Sequence, residues 1–186
     1  MKRFFEIIFC LIIILILLPI ILFIIIFIKI ETKGPIIFLS KRVGANESIF
    51  IMPKFRTMYS DTEIVESNKL INTDSKITKV GKFLRRFSLD ELPQFISVIQ
   101  GNMKIVGPRP ALPSQNELLL KRKKLGIHKL KPGITGYAQI NGRDMISIDK
   151  KIELEHEYLM KKNFILDIKI ILKSFIVVLN KKGILH

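Results

Sequence analysis

The feature that most constrains this chain is the apolar run Ile7–Ile28, 22 residues without a charged side chain. A helix of about 20 such residues crosses the apolar core of a bilayer. A cleaved signal peptide has a shorter apolar core that ends at small residues, whereas Lys29–Glu31 follow here. The sequence therefore predicts a membrane-embedded segment, residues 1–33, followed by one domain, residues 34–186.

The topology of this segment has two interpretations. Lys2 and Arg3 precede the apolar run, and Lys29 and Lys33 follow it, so both ends are positively charged. The positive-inside rule places the basic C-terminal side in the cytoplasm and gives no reason for an external N-terminus. Pro19 removes a backbone donor and predicts a kink, so a re-entrant helix would return to the cytoplasm. An ordinary spanning helix that tolerates its proline is the alternative.

Charge narrows the class of partner. Lys and Arg number 31 against 16 Asp and Glu, a net charge of +15. Such an excess predicts an anionic partner. It suits an anchored enzyme with a phosphorylated substrate, or a non-enzymatic anchored protein that binds anionic lipid or nucleic acid. The single cysteine excludes an intramolecular disulfide, which suits a cytoplasmic domain.

A β-hairpin is predicted after the membrane segment. Ile36–Leu39 and Ser48–Met52 have strand composition and are joined through a turn at Arg42–Asn46. Next come Lys54 and Arg56, two cations around one aromatic residue. They are interpreted either as a strand end with solvated charges or as a phosphate clamp.

The rest of the domain has mostly helical patterns, with one short strand at Lys104–Val106. The basic run Lys121–Lys124 is interpreted as a solvated helix face. The last helical pattern, 163–182, is amphipathic and suits either core packing or the membrane interface. The predicted fold is a mixed, mainly helical α/β structure with a small hairpin and amphipathic interfacial helices. The predicted helices of the domain are Thr78–Phe87, Leu112–Leu125, Ile146–Met160 and 163–182.

Two adjacent carboxylates mark the centre of the chain, in Arg85–Gln94. Pro93 favours a helix that begins no earlier than about Asp90, because proline is tolerated in a first turn. Asp90 and Glu91 would then lie at the positive helix end, which keeps them ionised and favours a phosphate or metal–phosphate nearby. Alternatively, Ser88 and Glu91 form a capping box, which leaves Pro93 one residue beyond the free N–H groups.

Arg109 stands between two prolines in Gly107–Pro110. A stiff backbone places its guanidinium at little entropic cost, which suits bidentate phosphate binding. The alternative is a rigid turn whose arginine points to water. The glycine-punctuated loops Lys131–Tyr137 and Asn141–Arg143 predict places where the backbone approaches a ligand closely.

Several of these motifs together resemble the bacterial sugar transferases, the monotopic phosphoglycosyl transferases that start glycan assembly on a polyprenyl phosphate. The resemblance covers nearly the whole chain and is closest to the small members, which have only a re-entrant helix and a catalytic domain. At Leu18 the chain departs from many members, which have a serine before the proline. The matching motifs, in chain order, are Lys54–Met58, Arg85–Gln94, Gly107–Pro110, Pro132–Arg143 and Leu166–Lys169.

The resemblance implies transfer of a sugar-1-phosphate from a UDP-sugar to polyprenyl (undecaprenyl) phosphate, with release of UMP. The reaction would occur at the cytoplasmic face of the bacterial inner membrane, among membrane lipids and without nucleic acid. Asp90 would be the nucleophile and form an acyl-phosphate intermediate, with Glu91 as its partner in metal or acceptor activation. Mg²⁺ would bridge Asp90 and the diphosphate. The cations implied around the phosphates are Lys54, Arg85, Arg109 and Arg143.

Overall fold

Helices make up most of the structure, a computed structural model that describes residues 3–59, 76–142 and 146–179. The helices are α1 (Arg3–Glu31), α2 (Lys79–Arg86), α3 (Gln94–Gln100), α4 (Asn116–Lys124), α5 (Tyr137–Ile140), α6 (Ile148–Lys161) and α7 (Phe164–Leu179). The strands are β1 (Ile37–Val43), β2 (Ile49–Phe55), β3 (Lys104–Val106) and β4 (Gly133–Thr135). β1 and β2 form an antiparallel hairpin, and β3 and β4 form a parallel pair. The predicted mixed, mainly helical α/β class is confirmed.

The apolar run forms one long helix. α1 has 29 residues and continues through Pro19. It is long and apolar enough to cross a membrane, and most of its large side chains are exposed. Exposed apolar side chains over this length are stable in lipid rather than in water.

The N-terminal end of α1 is attached to the rest of the chain. The Arg3 guanidinium donates hydrogen bonds to the carbonyl oxygens of Val98 (2.5 Å) and Ile99 (2.6 Å), near the C-terminus of α3. These carbonyls lie in the last turn of a helix, where cations are favourable. Cys10, two turns along α1, is fully buried in the same core cluster as Val98 and Ile170. The first turns of α1 are therefore part of the core of the domain.

The C-terminal end of α1 is attached to the same domain. The Glu31 carboxylate accepts hydrogen bonds from the backbone N–H groups of Lys79 (2.6 Å) and Val80 (2.9 Å). These groups lie in the first turn of α2 and have no acceptor within that helix. Ile28 packs in a second buried cluster with Leu84. Both ends of α1 thus contact the domain that follows it.

The hairpin is longer than predicted, and this moves Arg42 from the turn into β1. The connection contains a 3-10 turn, Ala45–Glu47, with left-handed backbone at Asn46 (φ 53°). Arg42 is opposite Phe50 across the strands. Because side chains alternate along a strand, Arg42 lies on the same face as Lys54. This face points inward, since Ser40 and Phe50 on it are buried.

The glycines of the β3–β4 region permit close backbone contacts. A Cβ on Gly133 would overlap the backbone nitrogen of Gly107, and a Cβ on Gly136 would overlap its carbonyl oxygen. Only glycine allows this approach without displacing a strand. The sequence predicted close backbone approach at Gly133 and Gly136, but the structure shows another segment of the chain as the neighbour.

One residue of the basic run in α4 is buried rather than solvated. Arg122 is 6% exposed and forms an ion pair with the buried Glu155 of α6. The interpretation of Lys121–Lys124 as a solvated face is therefore wrong at Arg122. The reason is tertiary, because α6 supplies a carboxylate that compensates for desolvation of the guanidinium.

Both interpretations of the last helix apply to different faces of α7. Its inner face holds the fully buried Ile170 and Ser174, whose hydroxyl lies 2.5 Å from that of Thr135 in β4. Its outer face is exposed and apolar, which suits a membrane interface. Lys181 and Lys182 lie outside the described residues. The exposed apolar residues of this face are Phe164, Ile165, Ile168, Leu172, Phe175 and Ile176.

Candidate active site

The two central carboxylates lie in a 3-10 turn, Leu89–Glu91, between α2 and α3. Ser88 has a left-handed conformation (φ 55°), and its side chain does not cap the turn, so the predicted capping box is wrong. α3 begins at Gln94, which agrees with a helix start no earlier than about Asp90, but Asp90 and Glu91 lie ahead of α3 rather than in its first turn. The left-handed residue bends the chain out of α2, and the 3-10 turn then presents Asp90 and Glu91 ahead of α3.

The structure brings two of the predicted cations onto these carboxylates. The Lys54 Nζ lies 2.7 Å from the Glu91 Oε1 and 3.6 Å from the Asp90 Oδ2. The Arg109 Nη1 lies 3.5 Å from the same Glu91 oxygen. Lys54, Asp90, Glu91 and Arg109 are called the Asp90 cluster below. Glu91 is the residue that links Lys54 to Arg109.

Arg85 lies beside this cluster at the end of α2. Its Nε donates a hydrogen bond to the Thr57 hydroxyl at 2.9 Å. Burial lowers the pKa of Arg85, and the charge of Asp90 opposes that shift, so the two groups interact. The hydrogen bond holds the guanidinium near the nucleophile candidate rather than in a direct ion pair with it.

Asp90 is buried, and burial raises the pKa of its carboxyl above the usual range. Glu91 raises this pKa as well, whereas Lys54, Arg85 and Arg109 lower it. The sequence predicted that a helix terminus would keep Asp90 ionised. In the structure, that effect depends on the surrounding cations, because Asp90 is not in a helix.

The Asp90 carboxylate is also open to a ligand. Among the residues that the structure describes, none donates a hydrogen bond to it, and its nearest cation contact is the 3.6 Å approach of Lys54. Its side chain retains 12% exposure. A buried carboxylate normally has hydrogen-bond donors, so an oxygen without them indicates a place for an external group.

The segment 107–111, here called the Arg109 loop, is held by tertiary hydrogen bonds as well as by the stiffness of its prolines. Four successive carbonyl oxygens accept from donors elsewhere in the chain. This geometry leaves the Arg109 side chain 36% exposed and directed to Glu91 rather than only to water. The bonds are Gly133 N–Pro108 O (2.9 Å), Arg122 Nη2–Arg109 O (2.9 Å), Arg42 Nη1–Pro110 O (3.3 Å) and Val43 N–Ala111 O (2.9 Å).

Two further cations of the sequence motifs are Arg143 and Arg56. Arg143 lies outside the described residues, so its role stays a prediction. Arg56 is buried and donates hydrogen bonds to the carbonyl oxygens of Thr32 (3.0 Å) and Lys33 (3.2 Å), just after α1. It follows the last residue of β2, where the chain turns toward the end of α1, and it therefore has different partners from Lys54.

Sequence reasoning missed Arg42, which lies close enough to Glu91 and Arg109 to interact with both charges. The predicted strand ended at Leu39, whereas β1 continues to Val43. A strand of the observed length places Arg42 on the same face as Lys54.

The donor set fits a magnesium ion. No group of three or more His, Cys, Asp or Glu residues that could hold a metal occurs within the described part of the chain. Mg²⁺ is commonly bound by only one or two carboxylates together with substrate phosphates. Asp90, with an oxygen lacking donors, and the adjacent Glu91 provide that arrangement.

The carboxylate turn is packed against the cluster that includes the C-terminal half of α1. Leu89 and Leu92, on either side of Asp90 and Glu91, contact the buried cluster that contains Ile24 and Ile28 of α1. Both leucines are partly buried, so each stabilises the contact by less than the roughly 1.5–3 kcal/mol of a fully buried side chain. The C-terminal half of α1 therefore contributes to the position of the turn.

Comparisons with known proteins agree on one family. A profile described as bacterial sugar transferase matches residues 1–181. The uncharacterized sugar transferase EpsL of Bacillus subtilis is 37% identical over 184 residues, covering 99% of this chain and 90% of the relative.

Two longer relatives match over part of their own length. The UDP-glucose:undecaprenyl-phosphate glucose-1-phosphate transferase of Escherichia coli is 42% identical over 77% of this chain. The UDP-N-acetylgalactosamine-undecaprenyl-phosphate N-acetylgalactosaminephosphotransferase of Aeromonas hydrophila is 34% identical over 83% of it. The matched segments span 32% and 38% of these two relatives.

Proposed function

The chain belongs to the bacterial sugar transferase family, and from this premise we propose that it is a phosphoglycosyl transferase. It transfers a sugar-1-phosphate from a UDP-sugar to a polyprenyl phosphate such as undecaprenyl phosphate, and it releases UMP. Relatives named for this reaction type with glucose and N-acetylgalactosamine support the proposal. The observation that carries it is the buried Asp90 carboxylate, without hydrogen-bond donors among the described residues and close to three cations.

The proposed reaction proceeds in two displacements. An oxygen of ionised Asp90 attacks the phosphorus that bears the sugar, and the bond from that phosphorus to the bridging oxygen breaks. UMP leaves with the bridging oxygen and its electron pair. An oxygen of the polyprenyl phosphate then attacks the same phosphorus, and the Asp90 carboxylate is released. A covalent nucleophile of this kind divides one difficult displacement into two easier ones.

The cations give Asp90 its reactive form. Burial alone favours the neutral acid, which cannot attack a phosphate. Lys54, Arg85 and Arg109 oppose this effect, because each lowers the pKa of Asp90. The same charges neutralise the diphosphate, so binding and ionisation depend on one set of residues.

Glu91 is the proposed partner of Asp90. Lys54 and Arg109 both contact its Oε1, which fixes its side chain beside the nucleophile. Asp90 and Glu91 would hold Mg²⁺ together with the substrate phosphates. When bound, the ion supplies positive charge to the phosphate oxygens.

A membrane location follows from the surfaces of α1 and α7. The acceptor phosphate is attached to a lipid, so the enzyme has to act at the membrane surface. The exposed apolar length of α1 and the exposed apolar face of α7 support membrane association. The proposed location is the cytoplasmic face of the bacterial inner membrane, where a domain with this excess of positive charge contacts anionic headgroups.

The proposed topology is re-entrant, with both ends of α1 in the cytoplasm. Arg3 binds carbonyl oxygens of the domain at one end, and Glu31 binds N–H groups of α2 at the other. A helix that passed through the bilayer would separate its two ends by the full hydrocarbon thickness, about 30 Å, and only one end could contact a cytoplasmic domain. The contacts at both ends support the re-entrant interpretation over the spanning one.

A labelling experiment tests the topology. Cys10 is the single cysteine, so Cys10→Ala gives a background without thiols. In that background, Lys2→Cys should be protected from a membrane-impermeant maleimide in intact cells and should react after the membrane is permeabilised. A cysteine in place of the exposed Lys150 serves as the cytoplasmic control. Reaction of the Lys2→Cys variant in intact cells would establish a spanning helix.

Intact-mass measurement tests the proposed function. Incubation of the protein with a panel of UDP-sugars and Mg²⁺, without acceptor, should add the mass of one sugar phosphate and release UMP. Addition of polyprenyl phosphate should remove the added mass. Asp90→Asn should show no adduct, whereas Asp149→Asn, which removes the same charge from an exposed position, should behave as the wild type. An adduct on Asp90→Asn would contradict the proposed role of Asp90.

A further inference from the structure

Arg42 is a half-buried cation that donates hydrogen bonds to neutral acceptors. Its Nε donates a hydrogen bond to the Ser40 hydroxyl (3.2 Å), and its Nη1 donates one to the Pro110 carbonyl oxygen (3.3 Å). Among the described residues, no carboxylate forms an ion pair with it. Removing a guanidinium from water is costly unless an opposite charge compensates for the loss. Arg42 in this geometry is therefore stabilised by a negatively charged partner that binds next to it.

A second guanidinium strengthens the need for a negatively charged partner. Burial, with the nearby charge of Arg109, lowers the pKa of Arg42 to about 10, and Glu91 opposes the shift. Glu91 is already in contact with Lys54 and Arg109. This carboxylate is thus engaged by a lysine and by another arginine, and Arg42 forms no ion pair with it among the described residues. A guanidinium in this position, beside the Arg109 loop, is suited to a phosphate group.

Arg42 and Lys54 approach the site from different positions. Lys54, which contacts Asp90, is opposite Phe38 in the hairpin, and Arg42 lies four residues farther along β1 on the same face. Four residues of a strand span about 13 Å. The Arg42 guanidinium contacts the carbonyl oxygen of Pro110 in the Arg109 loop, so Arg42 enters the site from a strand position farther from the nucleophile than that of Lys54.

The geometry of in-line phosphoryl transfer indicates what Arg42 binds at this position. The attacking and leaving oxygens lie on opposite sides of the phosphorus under attack. With Asp90 on one side, the leaving phosphate lies on the other, beyond the sugar-bearing phosphate. We propose that Arg42, together with Arg109, binds the phosphate of the departing nucleoside monophosphate. This inference rests on the proposed function. In it, Arg42 compensates the negative charge that appears on UMP when the bond to the bridging oxygen breaks.

Binding of UMP and of uridine separates this role from simple support of the Arg109 loop. Both ligands are measured by equilibrium competition, without polyprenyl phosphate, on wild-type protein and on Arg42→Gln. Loss of a charged hydrogen-bond donor should weaken UMP binding by about 10- to 100-fold. Uridine binding should be unchanged, because uridine lacks the phosphate. Arg42→Lys should fall between the two, since lysine keeps the charge but not the planar fork.

Lys41→Gln is the matched control. Lys41 precedes Arg42 in β1 and is exposed on the opposite face of the strand. This variant removes the same charge from the same segment and should leave the affinities for UMP and uridine unchanged. If Arg42→Gln does not fold, as judged by thermal unfolding, the ratio of UMP to uridine affinity in Arg42→Lys decides the question.

Two results would overturn the inference. Equal weakening of UMP and uridine binding would mean that Arg42 only supports the Arg109 loop through Pro110. Normal UMP binding combined with slow transfer from the adduct to polyprenyl phosphate would assign Arg42 to the acceptor phosphate. The proposed function fails in a different way, since wild-type protein would then form no phosphosugar adduct at all.

Discussion

The Arg122–Glu155 pair and the Asp90 cluster both contain opposite charges removed from water, and both adjoin the Arg109 loop. They differ because the Arg122–Glu155 pair is closed, which means that each charge has its partner within the protein. Arg122 donates two hydrogen bonds to Glu155, at 2.8 and 2.5 Å, and a third to the Arg109 carbonyl oxygen at 2.9 Å. The two side chains are 8% and 2% exposed. Each charge has a matched partner in a bidentate geometry, so nothing further is needed to stabilise the pair.

The Asp90 cluster is open by comparison. One Glu91 oxygen receives both Lys54 and Arg109, while Asp90 has a cation no nearer than 3.6 Å. Arg85 and Arg42 add positive charge around it. The difference indicates which buried charges in this protein are structural and which bind a ligand. A closed pair holds the fold, whereas unmatched charges indicate a site for a charged substrate.

The largest effect is expected at the nucleophile. Asp90→Asn keeps the shape of the side chain but removes the attacking charge, so turnover should fall by about 10³-fold or more. The midpoint of thermal unfolding should change little, because Asp90 takes no hydrogen bond from the described residues. UMP release and thermal unfolding, measured on one preparation, check both parts. Loss of activity through unfolding would place Asp90 among the structural charges and break the comparison.

The next largest effect is expected from opening the closed pair. Glu155→Leu leaves Arg122 buried without its carboxylate and should reduce the free energy of unfolding by about 3–5 kcal/mol. The double variant Arg122→Met, Glu155→Leu should recover most of that stability, since no unpaired charge remains. Denaturant unfolding of the single and double variants measures the difference. A double variant as unstable as the single one would show that the pair itself, rather than the unmatched charge, governs stability.

A smaller effect on turnover is expected at Lys54. Lys54→Gln removes the cation that contacts both carboxylates and should reduce turnover by about 10- to 100-fold. Stability should change less than in Glu155→Leu, since Arg85 and Arg109 remain near Asp90. Steady-state UMP release over a range of UDP-sugar concentrations provides the measurement. Wild-type turnover in this variant would remove Lys54 from the functional group of charges.

The smallest effect is expected at an exposed pair in α6. Lys150 and Glu153 approach to 2.7 Å, but their side chains are 50% and 64% exposed. Glu153→Gln should change the free energy of unfolding by about 0.5 kcal/mol or less and leave turnover unchanged. The same unfolding and UMP assays apply. A larger change in the free energy of unfolding would mean that the exposure of a charged pair does not predict how much it contributes to stability.

Much of the fold was predictable from local patterns. The apolar run, the hairpin, the strand Lys104–Val106 and the helices α4, α6 and α7 were expected near their observed positions, whereas β4 lies in a predicted loop and α5 was not predicted. These elements depend on the spacing of apolar residues over a few turns, which a sequence displays directly. The strand ends were less predictable. Because the end of β1 was predicted too early, Arg42 was assigned to the turn and not to the site.

The candidate site was predictable in its residues but not in its geometry. The family resemblance indicated Asp90, Glu91, Lys54 and Arg109, and the structure brings these four together. The predicted capping box and the placement of the carboxylates in a helical first turn were wrong, because a left-handed Ser88 leads into a 3-10 turn ahead of α3. A single backbone conformation of this kind depends on the surrounding packing and leaves little trace in local composition.

By itself, the sequence determined that the chain has a long apolar helix, a strongly basic domain and the motifs of one family, since length, charge and motif order can be read from neighbouring residues. The tertiary structure decided which charges are paired. Arg122 was expected in water and is buried because Glu155, 33 residues away, meets it across two helices. Charge interactions depend on distance and burial in space, so only the folded chain separates the closed pair from the open cluster.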